Sequence, residues 1–359
     1  MKLTKLFLLA LSISLFVSCS NDDDVSNDDP KGIYDNGFFI LNEGSKEKGS
    51  VSFLSDDLVT FTKDVYGPNN SNDNPGGYLQ NIFFDGENAY IIAGGSNVIN
   101  VVNRYTFKLI AKIDSGLENP RYGVAKNGKA YVTNANTYAP YGKPADDAAV
   151  ITGNTDDYVA IIDLKTNKYE SKINLNGTGN RIVEENGKLY ITEPYNSEKL
   201  LVVNIATKAL ETPVTIGSSA NTMEVKDGIL YILRGPYDST NEIVKVKLSD
   251  KSVSRITFPQ DFDTASFLDI EEDKIFYTAG KSVYVINTNA TSVSTTPLLT
   301  ATISATGYIY GFAVKDNRIY IADGGTFGQD SKAFIYNLTG TLEKELTVGI
   351  GPNGFYFNN

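Results

Sequence analysis

Histidine and tryptophan are absent from the 359 residues, cysteine occurs once and methionine twice. Without histidine there is no Ser-His-Asp or Cys-His nucleophile system, no His-ligated zinc or haem, and no imidazole acid–base chemistry. Any catalysis would have to rest on carboxylates, Lys, Tyr, Arg or an oxygen-ligated metal. Positive charge is also short: 32 Lys and Arg face 43 Asp and Glu, a formal net charge of −11. An acidic chain is repelled by phosphate backbones, and no basic run or aromatic–basic patch offsets this, so nucleic acid is not an expected partner. No stretch of useful length carries apolar residues at helical spacing, which argues against a solenoid of helices. Tyrosine (22), phenylalanine (18) and glycine (31) are plentiful, a composition suited to short strands joined by tight turns. The length fits either two ordinary domains or one large all-β domain.

Residues 1–18 carry a positive start at Lys2 and Lys5 and an apolar core from Leu6 to Val17. That core is too short to span a bilayer comfortably and reads as an export signal. It ends at Ser18-Cys19, and Cys19 is the single cysteine. The segment resembles a bacterial lipobox, with Phe16 where leucine is more usual, and this implies lipidation of Cys19. Residues 19–31 are small, polar and acidic, cannot bury enough surface to fold, and read as a flexible tether. The tether is similar to the acidic export signal of surface-displayed lipoproteins in the Bacteroidetes. The resemblance implies an outer-membrane lipoprotein exposed on the cell surface, held to the membrane through lipid on Cys19.

A short phrase recurs through residues 32–359: a turn pair, two variable residues, then an aromatic or apolar residue inside a β-rich segment. The copies run from Asn36-Gly37 to Ile40, Asp85-Gly86 to Tyr90, Asn127-Gly128 to Tyr131, and Asn186-Gly187 to Tyr190. They continue with Asp227-Gly228 to Tyr231, Asp273-Lys274 to Tyr277, and Asp316-Asn317 to Tyr320, the second copy carrying one extra residue. Asn-Gly and Asp-Gly favour the positive φ angles of two-residue hairpins. The repeat, about 40–60 residues long, is β-propeller arithmetic. Further alternating segments follow each hairpin, with turns such as Asp163 to Lys168, so each unit reads as a four-stranded antiparallel meander. The first unit lacks a strand before its turn pair, and the C-terminal Gly351 to Asn359 has that strand's pattern. The expected fold is therefore an all-β, seven-bladed β-propeller, closed by the C-terminal strand pairing into the first blade. Closure of this kind removes two open sheet edges.

The opening Gly37-Phe38-Phe39-Ile40-Leu41-Asn42-Glu43-Gly44, followed by Gly49 to Phe53, resembles that of YncE-like propeller lipoproteins of the Bacteroidetes, a group that includes the cobalamin-binding BtuG proteins. The likeness covers the whole folded part. It implies a surface lipoprotein that captures a nutrient and passes it to a TonB-dependent outer-membrane transporter. For the BtuG branch the ligand is cobalamin; the family as a whole does not fix it.

Strand alternation puts the starts of the inner strands and the ends of the second strands on one face of the ring. At the inner-strand starts lie Gln80, Asn81, Arg121, Tyr122, Asn180, Arg181, Asn221, Tyr308, Tyr310 and Asn353. At the second-strand ends lie Asn42, Glu43, Asn134, Asn136, Glu193, Tyr195, Arg234, Tyr237 and Asp323. Amides donate and accept, Arg donates a planar fork, and Tyr pairs an apolar face with a polar tip. Such a surface suits a large polar small molecule with amide and phosphate groups, as cobalamin has, and suits a glycan or a protein loop almost as well. A long insertion in the third unit, Thr137 to Asp157, with Tyr138 and Tyr141, projects from this face, and the link from Gly67 to Tyr78 lies on it too. Asp146-Asp147 and Asp156-Asp157 are weak calcium candidates, lacking an Asp-x-Asp-x-Asp-Gly run. Glu43, Glu193 and Asp323 could converge as an acid–base pair or metal site. The leading expectation is a non-catalytic binding protein with no cofactor. A lid subunit of a transporter for another nutrient, such as a glycan, and a metal-dependent hydrolase or lyase remain open.

Overall fold

The computed structural model describes residues 31–135, 157–195, 197–236 and 239–358. Cys19, the signal segment and the site candidates Asn136, Tyr138, Tyr141 and Tyr237 lie outside these residues. Seven antiparallel sheets form seven blades, each a meander from an inner strand outward. The inner strands are Pro352–Phe357, Leu79–Asp85, Pro120–Lys126, Arg181–Glu185, Ala220–Lys226, Ala265–Glu271 and Ile309–Lys315, in blades one to seven. Blade four carries an additional short strand, Val214–Thr215, paired with Lys199–Asn204.

Burial explains the alternation of sequence pattern from inside outward. Second strands such as Lys129–Asn134 and Arg318–Asp323 are buried almost throughout, because a neighbouring blade covers each face. Outer strands such as Lys168–Asn174 alternate exposed and covered side chains, because one face meets water. The repeated aromatic at the centre of the second strand, Tyr90, Tyr131, Tyr190, Tyr231 and Tyr320, is buried in every case. There is no single core. Seven apolar layers each join two adjacent blades, and the layer of Phe38, Ile40, Tyr320, Ile335 and Phe355 joins blade seven back to blade one.

The hairpin turns behave as their residues require. Asn127-Gly128, Asn186-Gly187, Asp227-Gly228 and Asp316-Asn317 all have positive φ at both positions, the type I′ signature. Two pairs sit one residue away from the sequence reading. Asp85 pairs with Asn88, so the turn is Gly86-Glu87, and the extra residue assigned to that copy disappears. Glu271 pairs with Lys274, so the turn is Glu272-Asp273 and the repeated aromatic is Phe276, not Tyr277. Between third and fourth strands, Asp163 and Asn103 each accept bonds from a threonine three residues on, which folds the turn back.

The C-terminal strand closes the ring. Pro352–Phe357 pairs with Gly37–Asn42, with Phe38 opposite Phe357 and Ile40 opposite Phe355. Buried Asn358 then clasps the seam: its N–H binds the Gly37 carbonyl at 2.8 Å, and its amide donates to Tyr34 (2.6 Å) and Arg104 (3.0 Å) carbonyls. No helix among the described residues is long and apolar enough to cross a membrane.

Candidate functional site

Backbone bonds join the end of each second strand to the start of its own blade's inner strand or the link before it. Gly94 binds Tyr78, Ala135 binds Asn119, Gly235 binds Ser219, Gly280 binds Thr264, Gly324 binds Tyr308, and Asn180 binds Thr192. The two sets of candidate residues therefore share one face, as the alternation requires. They do different work on it.

In six of the seven blades the inner strand begins with a β-bulge. The residues outside the ladder register are Asn353, Gln80, Tyr310, and the pairs Arg121-Tyr122, Asn221-Thr222 and Ser266-Phe267, each pair facing one partner residue. A bulge breaks the two-residue alternation and re-aims a side chain. Here the bulged side chains turn toward the channel mouth, and all but Thr222 line a depression of about 240 Å³. Blade four has no bulge and contributes Asn180 and Arg181 from the start of its strand, with Pro194 and Tyr195. Tyr308 and Ile309 complete the wall. Of the candidate residues, the structure thus brings together Gln80, Arg121, Tyr122, Asn180, Arg181, Tyr195, Asn221, Tyr308, Tyr310 and Asn353.

The bulges are braced from behind. The Tyr122 N–H, left without a ladder partner, donates to buried Thr133 Oγ1 at 3.1 Å, and that hydroxyl donates on to the Asn180 carbonyl at 2.6 Å. The Phe267 N–H uses Thr278 Oγ1 in the same way at 3.1 Å. Side chains also stitch inner strands across blades: Asn81 Oδ1 accepts from Gly123 N–H at 3.1 Å, and Thr222 Oγ1 from Leu268 N–H at 2.9 Å. Asn81 also donates toward the Tyr356 hydroxyl at 3.4 Å and does not line the depression. Burial pushes the Tyr356 hydroxyl up to about 12.

Most second-strand-end candidates serve the loops instead. Asn42 is fully buried, and its Oδ1 accepts the Gly349 N–H at 3.1 Å. Asn134 Oδ1 accepts the Glu118 N–H at 2.8 Å, and Asp323 accepts the Ser304 and Gly325 N–H groups at 2.9 and 2.8 Å. Arg234 Nε donates to the Ser218 carbonyl at 2.7 Å and its head pairs with Glu242, which also holds Arg255. Each clamps the link that leads into its own blade. None of the four lines the depression, because the strand end directs it at the link.

Glu43 stands between the two groups. Its carboxylate accepts Gln80 Nε2 at 3.1 Å and the Tyr310 hydroxyl, so it fixes two lining residues. Burial first, and the Glu43 charge second, push the Tyr310 hydroxyl far above its usual range, so it remains a protonated donor. Glu193 is buried and accepts the Tyr195 N–H at 3.0 Å. Among the described residues no three His, Cys, Asp or Glu side chains gather to hold a metal. The link from Gly67 to Tyr78 packs as structure: Tyr66 before it is fully buried, and Asn70 bonds the backbone at Phe107 and Leu109.

Ser266 and Phe267 line the mouth and were missed by sequence reasoning. The repeat held the signal, since they occupy the position in blade six that Arg121-Tyr122 occupy in blade three. Reading that blade's turn one residue late, at Asp273-Lys274, put the blade out of register with the others. Aromatic rings crowd this side of the rim, with Tyr310 and Phe327 4.9 Å apart and Tyr308 5.7 Å from Tyr310.

The fold is shared widely. The chain is similar to a quinoprotein alcohol dehydrogenase-like protein from Bacteroides thetaiotaomicron VPI-5482, at 17% identity over 91% of this chain and 79% of that one, with a TM-score of 0.67. It is similar to the computationally designed Ika8 protein at 9% identity over 92% of both chains, with a TM-score of 0.59. Hydrazine synthase of Kuenenia stuttgartiensis matches at 14% identity over 82% of this chain and 91% of that one, with a TM-score of 0.57. Likeness at these identities establishes the fold alone. No curated protein matches the sequence. A family model described as a domain of unknown function, DUF5074, matches residues 36–358, and the chain belongs to that family.

Proposed function

We propose that this protein captures a polar small molecule at the mouth of its propeller and does not transform it. The observation that carries this is the ring of bulges, completed by the unbulged start of blade four, which aims amides, guanidinium groups and phenols from separate blades into one depression. Such groups recognise by hydrogen bonding and ring contact, and their geometry is fixed by backbone rather than by loops. Cobalamin, to which the YncE-like and BtuG-like resemblance points, has amide arms that suit the Asn and Gln side chains and a phosphodiester that suits Arg. It is far larger than 240 Å³, so the depression would take one portion and exposed Tyr195 and Tyr308 would meet the rest. In this reading the chain is an outer-membrane lipoprotein, anchored through Cys19 and displayed on the cell surface, that hands its ligand to a TonB-dependent transporter.

Calorimetric titration with cyanocobalamin tests the ligand. Saturable one-to-one heat, weakened by the double change of Arg121 and Tyr122 to Ala, is the expected result; an absence of heat removes cobalamin. The rim aromatics also suit stacking on sugar rings, which favours a lid subunit for a glycan transporter as the second reading. Co-purification of a transporter from solubilised outer membrane, without cobalamin in the system, would favour it.

A further inference from the structure

We infer that the side of the mouth built by blades three and four is an oxyanion subsite, and that the ligand presents a hydrogen-bond donor beside its negative charge. This deepens the capture reading and rests on it only for the claim that the mouth binds a ligand.

The chain as a whole is acidic, with a net charge of −11, yet among the described residues that line the depression two are arginines and none is a carboxylate. Arg181 lies flat over the Tyr122 ring, 4.0 Å from its centroid. Stacking holds the guanidinium in place and leaves its in-plane N–H groups for an acceptor. Three other arginines of the ring have carboxylate partners: Arg234 and Arg255 bind Glu242, and Arg318 binds Glu343. No ion pair or hydrogen bond engages the Arg181 guanidinium among the described residues. Glu43, in blade one across the ring, is held by Gln80 and Tyr310, and Glu193, just before the lining residues Pro194 and Tyr195, accepts the Tyr195 N–H.

Asn180, the residue before Arg181, supplies an independent sign. The residue is 7% exposed and lines the depression, and its Oδ1 accepts no hydrogen bond among the described residues. Asn353 Oδ1, also in the wall, is in the same condition, while its Nδ2 donates to the Leu79 carbonyl at 2.8 Å. Buried acceptors of this kind are nearly always bonded. One of them beside an unpaired guanidinium, with a second across the mouth, calls for an organic anion that also carries N–H or O–H groups. A planar fork suits a phosphate ester and a carboxylate alike.

Three small probes test this without any assumption about the ligand: ribose 5-phosphate, gluconate and ribose. Calorimetric titration of the wild type at low salt should give saturable binding for at least one anion and none for ribose, and the anion that binds names the group. Arg181→Gln should weaken that binding at least about tenfold, as loss of a charge-assisted fork does, and Asn180→Ala should weaken it as well. Both variants are first checked for a wild-type melting profile. Failure of both anions to bind better than ribose overturns the inference, whatever the variants do. Undiminished binding by folded Arg181→Gln also overturns it. Cyanocobalamin is titrated in parallel. Anion binding without cobalamin binding removes the ligand and leaves the subsite, and the reverse removes the subsite alone.

Discussion

Asn134 uses both ends of a fully buried amide. Its Nδ2 donates to the Val132 carbonyl at 2.9 Å and its Oδ1 receives the Glu118 N–H at 2.8 Å. Asn134→Ala removes both and leaves the buried Val132 carbonyl without its amide donor, a loss of about 1–3 kcal/mol for an unsatisfied buried group. Urea unfolding should show a lower midpoint with an unchanged slope, and ligand affinity in the folded variant should stay close to wild type. Gln80→Ala should do the opposite, altering affinity with little loss of stability. A stability loss for Gln80→Ala as large as for Asn134→Ala would erase the distinction between clamp and lining residue. That distinction was not legible in the sequence, because both positions hold the same residue types. Asn and Arg satisfy a loop backbone as readily as a ligand. Only the pairing of each residue with its strand neighbour shows whether it points at a link or at the mouth.

Among the strands, the inner ones of blades five to seven carry a feature that no pattern predicted. Glu224 and Asp269 face each other in the channel wall and share a hydrogen bond. Glu224 accepts the Ile270 N–H at 2.7 Å, and Asp269 accepts the Val314 N–H at 2.7 Å, so the pair ties three blades together. Burial first, and then mutual repulsion, raise Glu224 to about 9, and burial raises Asp269 as well. The folded protein therefore holds a proton that the unfolded chain releases near 4.5. Stability is complete below that ordinary glutamate value and falls as pH climbs toward 9. Glu224→Gln keeps both hydrogen bonds without the proton, so its urea midpoint should be flatter from pH 5 to 9 and exceed wild type at the alkaline end. A wild-type midpoint that rises with pH across this window would refute the shared proton. Hairpins such as Asn186-Gly187 were legible because their turns demand particular residues. Bulges were not, since an inserted residue shifts the alternation without any required side chain.

Across the whole molecule, the two chain ends complete one blade, and this was the feature most plainly written in the sequence. An opening unit short of one strand and a tail with that strand's pattern leave few other arrangements. The closing strand does three jobs at once. It covers the edge of Gly37–Asn42, it places Phe355 against Phe38 and Tyr320 between blades one and seven, and it puts Asn353 into the mouth. Burying one large aromatic contributes roughly 1.5–3 kcal/mol, and this strand carries Phe355 and Phe357 against the same layer. A chain ending at Gly351 should thus lose the blade one–blade seven layer and expose a long hydrophobic edge. Size-exclusion chromatography should show aggregate, and thermal unfolding should lose its single sharp transition. Adding the peptide GPNGFYFNN in trans should restore the monomer if the strand acts by pairing. A truncated chain that stays monomeric and melts as wild type would mean that the ring is held by its other six interfaces. Anion binding would then be the measurement to repeat on that chain, because Asn353 would be gone while Arg181 and Asn180, on the far side of the ring, would remain.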